Sequence, residues 1–287
     1  MKRNRILQRV YICIIFVFMY LPIAVMIGFS FNESKSRTVF TGFTLNWYQN
    51  LFNNKMILQS LGVSLVIAFA ASLIATVMGT MAAVGISRMK KRTRSLVLNV
   101  SYMPVVNPEI ITGVSLMLLF VVFNTKFSDF FTWLLGREID LNGFGMATLL
   151  MAHITFNVPY VIFNVVPKLK QMDIRLYEAA LDLGCNHRQA FFKVVLPEIM
   201  PAVVSSFLIC LTYSIDDFII SYFTSGTVQT LPIAIYSMTK KKVSPEINAL
   251  SAIMFAVILT IILVANAVDS AKDKKSHRPL VAREEQA

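Results

Sequence analysis

Charged residues are scarce in this sequence. Only 15% of its 287 residues are Asp, Glu, Lys or Arg, whereas 56% are hydrophobic. Soluble domains carry roughly 25% charged and about 45–50% apolar residues. The mean hydropathy of +0.63 points the same way. The composition excludes a disordered chain and an ordinary soluble domain, and it indicates an integral membrane protein.

Cysteine is also rare, and its three copies are scattered. Cys13, Cys185 and Cys210 have neither the density of a secreted disulfide scaffold nor the spacing of a metal site. The sequence contains no Gly-x-x-x-x-Gly-Lys-Ser/Thr loop for phosphates, no His-Glu-x-x-His and no Gly-x-Ser-x-Gly. We therefore expect a non-enzyme with no catalytic residue, no metal and no cofactor of its own.

Long apolar runs are what the sequence has in abundance. The first, residues 10–31, contains 22 residues and at about 1.5 Å per residue crosses a hydrocarbon core of about 30 Å. It is too long for a signal peptide, and no cleavage site follows it. The runs predict an all-α integral membrane protein, a single domain over 1–287, with six transmembrane helices at 10–31, 58–86, 96–123, 144–167, 199–222 and 247–268.

The positions of Lys and Arg predict the orientation. With the N-terminus inside, the inner segments hold 19 of the 27 basic residues and the outer segments hold 8, which is the bias that cytoplasmic loops show. Both termini, including the polar tail 269–287, are therefore expected to be cytoplasmic. The basic run 88–94 is then expected to keep its segment on the cytoplasmic side and to contact anionic membrane lipid. The net charge of +11 therefore does not indicate nucleic-acid binding.

Proline residues inside the predicted spans are candidates for breaks in the helices. Pro104 and Pro108 lie in the third span and Pro159 lies in the fourth. Such breaks in a membrane need neighbouring helices or water to satisfy the freed backbone groups. Since proline is common in membrane helices generally, a single one does not establish a pathway.

The connection between the fourth and fifth predicted spans reads as two short helices. Asp173 is a plausible N-cap for a helix over 174–183, and Gly184 is its stop. Asn186 with Gln189 forms an approximate capping box for a second helix, which Pro197 is expected to end. The hairpin is rich in apolar residues, so we expect it to contact another protein.

Motifs in this hairpin resemble a known family. Glu178-Ala-Ala, Gly184 and Val194-x-Leu196-Pro197 resemble the EAA loop of bacterial ABC-importer permeases, with Val194 in place of the usual Ile. The resemblance implies the type I ABC-importer permease fold, with loop 173–197 docked in a groove of a cytoplasmic ATPase. The implied coupling residues are Glu178, Ala179, Ala180, Gly184, Leu196 and Pro197.

Further segments resemble the PotC-type permeases of spermidine/putrescine importers. These segments are 42–48, 107–111, 152–160, 214–217 and 243–250. The resemblance implies a permease in a bacterial inner or plasma membrane. It also implies a second permease of the PotB type, two ATPases of the PotA type that bind ATP and Mg, and an external polyamine-binding protein of the PotD type.

Three acidic residues, Glu109, Asp216 and Asp217, are predicted at membrane depth. A carboxylate there usually faces a cavity or a charged partner. A polyamine carries ammonium groups separated by methylenes, so its path needs spaced carboxyl groups beside aromatic rings. The predicted substrate path consists of Glu109, Phe156, Tyr160, Tyr213, Asp216, Asp217, Phe218 and Tyr222.

Some of these residues have competing interpretations. Adjacent helical residues point about 100° apart, so we expect one of Asp216 and Asp217 to line the path and the other to cap or pair. Glu109 follows Pro108 and is equally suited to be the charge at a helix N-terminus. His153 and Asn157, one turn apart, are expected to form internal hydrogen bonds.

Two other functions stay open at this point. The EAA loop does not specify cargo, so the chain is alternatively an ABC permease for another organic cation or small solute. A self-contained carrier driven by an ion gradient is a less favoured alternative, because the inverted repeats expected there are not evident between 1–123 and 144–268.

Overall fold

The computed structural model describes residues 2–34, 39–135, 143–241, 245–260 and Leu263. Within these ranges the chain is helical, with a single isolated antiparallel bridge between Asn32 and Phe43. The helices are α1 Lys2–Phe29, α2 Asn46–Asn53, α3 Lys55–Ser87, α4 Lys91–Val106, α5 Glu109–Leu135, α6 Met146–Gln171, α7 Ile174–Asp182, α8 His187–Ala190, a π turn Phe191–Val195, α9 Leu196–Asp216, α10 Ile219–Thr224, α11 Leu231–Lys241 and α12 Pro245–Thr260.

Five of the described helical segments are long and apolar enough to cross a membrane. They are Leu7–Phe29, Lys55–Ser87, Glu109–Lys126, Met146–Gln171 and His187–Asp216. The first, second and fourth match the predicted spans to within a few residues. The described part of the predicted sixth span is the shorter apolar helix α12, whereas the rest of that span and the tail 269–287 lie outside the described residues. The count of six stays a prediction.

The third predicted span is broken at one of its two prolines, because the structure divides 96–123 between α4 and α5. Asn107 has extended backbone angles (φ −67°, ψ 139°) between the two helices. Proline disfavours the helical conformation of the residue before it, and Pro108 has no N–H to donate. The chain therefore breaks at Asn107 and Pro108, while Pro104 and Pro159 stay inside α4 and α6.

The fifth predicted span, 199–222, is wrong at both ends. The helix does not end at Pro197 but continues from α8 through the π turn into α9. Leu196 N–H bonds to the carbonyl of Phe191, five residues back. Such π turns accommodate irregular hydrogen bonding in an otherwise continuous helix. At the other end, α9 stops at Asp216, and α10 starts only at Ile219 after an extended Asp217.

The chain divides into two compact units, Gln59–Ala234 and a unit formed by Met1–Leu58 with Ile235–Ala287. In the second of these, Trp47 Nε1 donates a hydrogen bond to Asn32 O at 2.7 Å, and the Tyr48 hydroxyl lies 2.7 Å from Ser30 Oγ. These contacts fasten α2 to the end of α1. The single domain over 1–287 stays a prediction.

The unit 59–234 holds the candidate sites. One of its buried apolar clusters joins α3, α6 and α9 through Ala83, Ile86, Val161, Ile162, Val165, Val166, Ile199 and Cys210. A second cluster joins α5, α6 and α10 through Leu116, Phe120, Ala152 and Ile220. Helix α6 belongs to both clusters, so it is the central helix of this unit.

We expect Gly79→Ala to destabilise the protein, because α3 and α6 approach closely at this glycine. A Cβ at Gly79 would lie 2.5 Å from Val161 Cβ and 3.1 Å from the Val158 carbonyl oxygen. Overpacking of this kind costs about 1–3 kcal/mol, which lowers the unfolding temperature measured in detergent. Gly62→Ala is the matched control on α3, since nothing lies within 4 Å of its Cβ. Equal unfolding temperatures for the two variants would contradict the prediction.

Candidate functional site

A cavity of about 480 Å³ lies between the two helix breaks of the unit 59–234. The lining comes from the break between α4 and α5, from the break between α9 and α10, and from aromatic side chains of α6. The lining residues are Pro104, Val105, Asn107, Glu109, Thr112, Phe156, Tyr160, Tyr213, Asp216, Asp217, Phe218, Ile219 and Ile220. Three of these described lining residues are acidic and none is basic.

Seven of the eight predicted path residues line this cavity, and Tyr222 does not. Its side chain is 55% exposed and its ring contacts Phe218 and Phe223, each at 5.6 Å between centroids. The prediction treated 199–222 as one helix. Because the chain breaks after Asp216, the register of α9 does not continue to Tyr222.

The two adjacent aspartates have different surroundings. Asp217 Oδ1 accepts a hydrogen bond from Ile220 N–H at 3.3 Å, and Oδ2 accepts one from Ser221 N–H at 2.7 Å. Its side chain is only 7% exposed. Asp217 therefore caps the start of α10, whereas Asp216, the exposed last residue of α9, presents its carboxyl group to the cavity.

Buried polar contacts connect α6 to both sides of the α9–α10 break. His153 Nε2 lies 3.0 Å from Ser221 Oγ and 3.6 Å from Asp217 Oδ2. Asn157 Nδ2 donates to Ser214 Oγ at 2.8 Å. Both α6 residues therefore make internal hydrogen bonds, as expected from the sequence, and they hold the break in place behind the cavity.

Glu109 combines the two roles that the sequence left open. It is the first residue of α5, where a negative charge interacts favourably with the helix dipole, and it also lines the cavity. Sequence reasoning missed Asn107 and Thr112 as lining residues. The spacing of Thr112, three residues after Glu109, would have placed it on the same face of α5.

Four aromatic rings contribute to the lining of the cavity, beside the acidic groups. The rings of Tyr160 on α6 and Tyr213 on α9 contact each other edge to face, with centroids 4.8 Å apart. Phe156 and Phe218 add two further rings to the lining. Carboxyl groups beside aromatic faces are suited to an organic cation, because the ring face attracts positive charge.

The hairpin 173–197 has the local structure that the sequence predicts in its first half. Asp173 accepts a hydrogen bond from Arg175 N–H at 3.0 Å. After α7, Gly184 has φ +87°, Cys185 N–H bonds to Ala180 O at 3.0 Å, and Gly184 N–H bonds to Leu181 O at 2.9 Å. These paired bonds form a Schellman motif, which requires the left-handed conformation that glycine adopts without strain.

The second half of the hairpin begins with the predicted capping box. Asn186 Oδ1 accepts from Gln189 N–H, and Gln189 Oε1 accepts from Asn186 N–H. Among the predicted coupling residues, Ala180 is buried whereas Glu178 and Ala179 are exposed. Leu183 and Phe192 are 87% and 64% exposed. Large exposed apolar side chains next to the turn are typical of a surface that another protein covers.

Removing the Asp217 cap is expected to destabilise α10. Loss of an N-cap side chain costs about 0.5–2 kcal/mol, and both Asp217 oxygens accept backbone hydrogen bonds. We expect Asp217→Ala to lower the unfolding temperature in detergent, and Asp217→Asn to retain part of the effect because its amide oxygen still accepts. Ala and Asn variants as stable as the wild type would contradict a capping role.

Residues 75–277 match the family described as "Binding-protein-dependent transport system inner membrane component". The match covers more than half of the chain. The chain belongs to this family. It is therefore a multi-pass inner-membrane permease, a transport subunit of an ABC importer that works with other subunits of its system, as the resemblance implied.

Named relatives match this permease over most of its length. The spermidine/putrescine transport system permease protein PotC of Haemophilus influenzae is 34% identical over 263 residues, which cover 91% of this chain and 96% of the relative. PotC of Escherichia coli is 35% identical over 272 residues, covering 94% and 96%. The putrescine transport system permease protein PotI of Escherichia coli is 36% identical over 247 residues, covering 85% and 83%.

Solved structures share the fold of this permease. A bacterial ABC transporter that imports the acidic polysaccharide alginate superimposes with a TM-score of 0.70 at 18% identity, over 94% of this chain and 96% of that one. The MetNI methionine ABC transporter in an inward-facing conformation gives 0.55 at 17% identity, over 75% and 95%. These similarities confirm the expected type I importer permease fold.

Proposed function

We propose that this permease carries polyamines, spermidine or putrescine, from an external binding protein across the membrane. The observation that carries the proposal is the cavity in which Glu109, Asp216 and Asp217 stand beside four aromatic rings with no basic residue among the described lining. Relatives at 34–36% identity that are named for spermidine and putrescine transport support the same cargo.

The chemistry of the cavity suits a linear polycation. Each ammonium group donates a charge-assisted hydrogen bond to a carboxylate, and the methylenes between ammonium groups pack against ring faces. Glu109 belongs to α5 and Asp216 to α9, so the cavity offers carboxyl groups from two different helices to the ammonium groups of one cargo molecule. The volume of about 480 Å³ falls in the range of roughly 300–1,000 Å³ typical of small-molecule sites.

Asp216 and Asp217 have separate tasks in this proposal. Asp216 contacts the cargo directly, since it is exposed at the end of α9. Asp217 is a positioning residue, because its oxygens accept backbone hydrogen bonds from α10 and Oδ2 also lies 3.6 Å from His153 Nε2 of α6. Tyr160 on α6 and Tyr213 on α9 supply ring faces to the same cavity.

Energy for transport would come from a partner. The permease would assemble with a PotB-type second permease, with two PotA-type ATPases that bind ATP and Mg, and with a PotD-type binding protein outside. The exposed hairpin 173–197 would occupy a groove of one ATPase, with Glu178, Ala179, Ala180, Gly184, Leu196 and Pro197 as the coupling residues. Closure of the ATPase dimer would then move the helices around the cavity.

The orientation follows from the same proposal. The hairpin must face the cytoplasm to reach the ATPase, and with six spans both termini are then cytoplasmic. The basic residues of the α3–α4 turn and of the hairpin lie on that side, as the positive-inside bias requires.

Uptake of labelled spermidine and putrescine tests the cargo. We expect cells without this gene to lose uptake, to regain it with the wild-type gene, and to regain only a small part of it with Asp216→Asn at matched membrane expression. Uptake that persists without the gene, in cells lacking any parallel polyamine system, would overturn the cargo while leaving the family membership intact.

A further inference from the structure

A second cavity, of about 450 Å³, lies where the ends of α3, α4 and α6 meet the hairpin. Three basic side chains line it: Arg88 after α3, Arg94 on α4 and Lys170 near the end of α6. In the described parts of the chain no carboxylate oxygen lies within 4.0 Å of these three cations. The neighbouring Lys168, by contrast, is paired with Glu198 at 3.3 Å.

The start of α4 concentrates positive charge in an unfavourable place. The helix begins at Lys91 with no acidic residue in its first turn and no side-chain cap. Arg92 and Arg94 follow directly. Cations are destabilising at a helix N-terminus, which itself carries partial positive charge. A bound anion beside Arg94 would offset this cost.

The cavity combines these cations with an apolar wall. Val84, Leu169, Ile174 and Val195 line it together with the basic groups, at the ends of apolar helices long enough to cross a membrane. Arginine forks match phosphate oxygens geometrically. A ligand with a phosphate on an apolar body fits both parts, whereas a free phosphate would leave the apolar wall without a partner.

The same cavity reaches into the hairpin. Tyr177 of α7 and Phe191 of the π turn contribute to its wall. The Tyr177 hydroxyl lies 2.9 Å from His187 Nδ1 at the start of α8. A ligand held by Arg88 and Arg94 would therefore contact both arms of the hairpin and join them to the α3–α4 turn.

We propose that this cavity binds the phosphate headgroup of an anionic phospholipid and that the bound lipid holds the hairpin in its docking position. Lipid binding is independent of the proposed cargo and partners. Only the consequence for ATPase docking rests on the proposed function. Lipid retention therefore tests the lipid site, whereas polyamine uptake and copurification of the ATPase test the proposed function.

Retention of labelled phosphatidylglycerol by the purified importer complex in phosphatidylcholine nanodiscs tests the site. We expect Arg88→Gln with Arg94→Gln to weaken retention at least about tenfold, since hydrogen bonds to charged groups contribute about 1.5–3 kcal/mol and 1.4 kcal/mol is tenfold. Lys91→Gln with Arg92→Gln is the matched control. It removes two charges from the same turn, and neither residue lines the cavity.

Three results would overturn the proposal. Equal loss of lipid by both double variants would show that only overall charge matters. Displacement of the lipid by inorganic phosphate at comparable concentration would show that free phosphate is the ligand. Unchanged lipid retention with loss of the ATPase subunits would assign the cations to an acidic segment of that partner. Retention by Arg88→Lys with Arg94→Lys that lies between the wild type and the Gln pair would support the site, because lysine keeps the charges but lacks the paired hydrogen bonds of the guanidinium group.

Discussion

Replacing Glu109 and Asp216 together by Gln and Asn is expected to reduce polyamine transport at least about tenfold at low substrate concentration. The two carboxyl groups come from different helices and line the same acidic cavity. Each contact between a carboxylate and an ammonium group contributes about 1.5–3 kcal/mol, and 1.4 kcal/mol corresponds to tenfold. The measurement is uptake of labelled spermidine by proteoliposomes that contain the complete importer, as a function of its concentration.

Two further variants make this result interpretable. Asp216→Glu keeps the charge and should retain most transport, whereas Asp216→Asn alone should lose a large part of it. ATP hydrolysis without substrate reports assembly, and it should stay at the wild-type rate in all of these variants. Wild-type uptake by the Gln/Asn double variant would show that Glu109 and Asp216 do not contribute to the transport of polyamines.

Gly184→Val is expected to abolish transport by distorting the turn of the hairpin. Gly184 has φ +87° within the Schellman motif that ends α7. The left-handed conformation costs an ordinary residue roughly 1–2 kcal/mol and is worse for a β-branched one. A turn that refolds to relieve this strain displaces the exposed Leu183 and the residues on either side. We expect the ATPase subunits to be lost on affinity purification of the Val variant.

The variant Gly184→Asn distinguishes the effect of backbone strain from the effect of a larger side chain at this position. Asn adopts the left-handed conformation more readily than other residues, and nothing lies within 4 Å of a Cβ at Gly184. Gly184→Asn should therefore keep the ATPase bound. Gly85→Val, at an exposed helical glycine with equally open surroundings, is the matched valine control. Loss of the ATPase in the Asn variant, or its retention in the Val variant, would contradict the turn as the critical element.

The hairpin was largely predictable because its signals are local. The N-cap at Asp173, the stop at Gly184 and the capping box at Asn186 each involve residues within a few positions of one another. Hydrogen bonds of this range form in the same way wherever the sequence occurs. The exception is Pro197, which ends a helix by local rules but lies here just after a π turn that carries the helix onward.

The cavity was predictable in its residue types and not in its construction. Acidic and aromatic residues in apolar spans point to a common site, and seven of eight line one cavity. No proline or glycine marks the break after Asp216 in the sequence. Contacts of Asp217 with α10 and with His153, 64 residues earlier, stabilise the break instead. Contacts over such sequence distances depend on tertiary packing, so Tyr222 could not be assigned correctly from spacing alone.

The absence of a break between the hairpin and α9 has a mechanical consequence. His187–Asp216 is one helical segment of 30 residues, about 45 Å long at 1.5 Å per residue. The hairpin lies at one end of this segment and Asp216 lies at the other, so a tilt that begins at the hairpin displaces Asp216. A tilt of about 5° moves the far end by about 4 Å over that length, which exceeds the reach of a hydrogen bond. In the function we propose, a small displacement of the hairpin by the ATPase would therefore be sufficient to separate a bound cation from the Asp216 carboxyl group at the other end of the same helix.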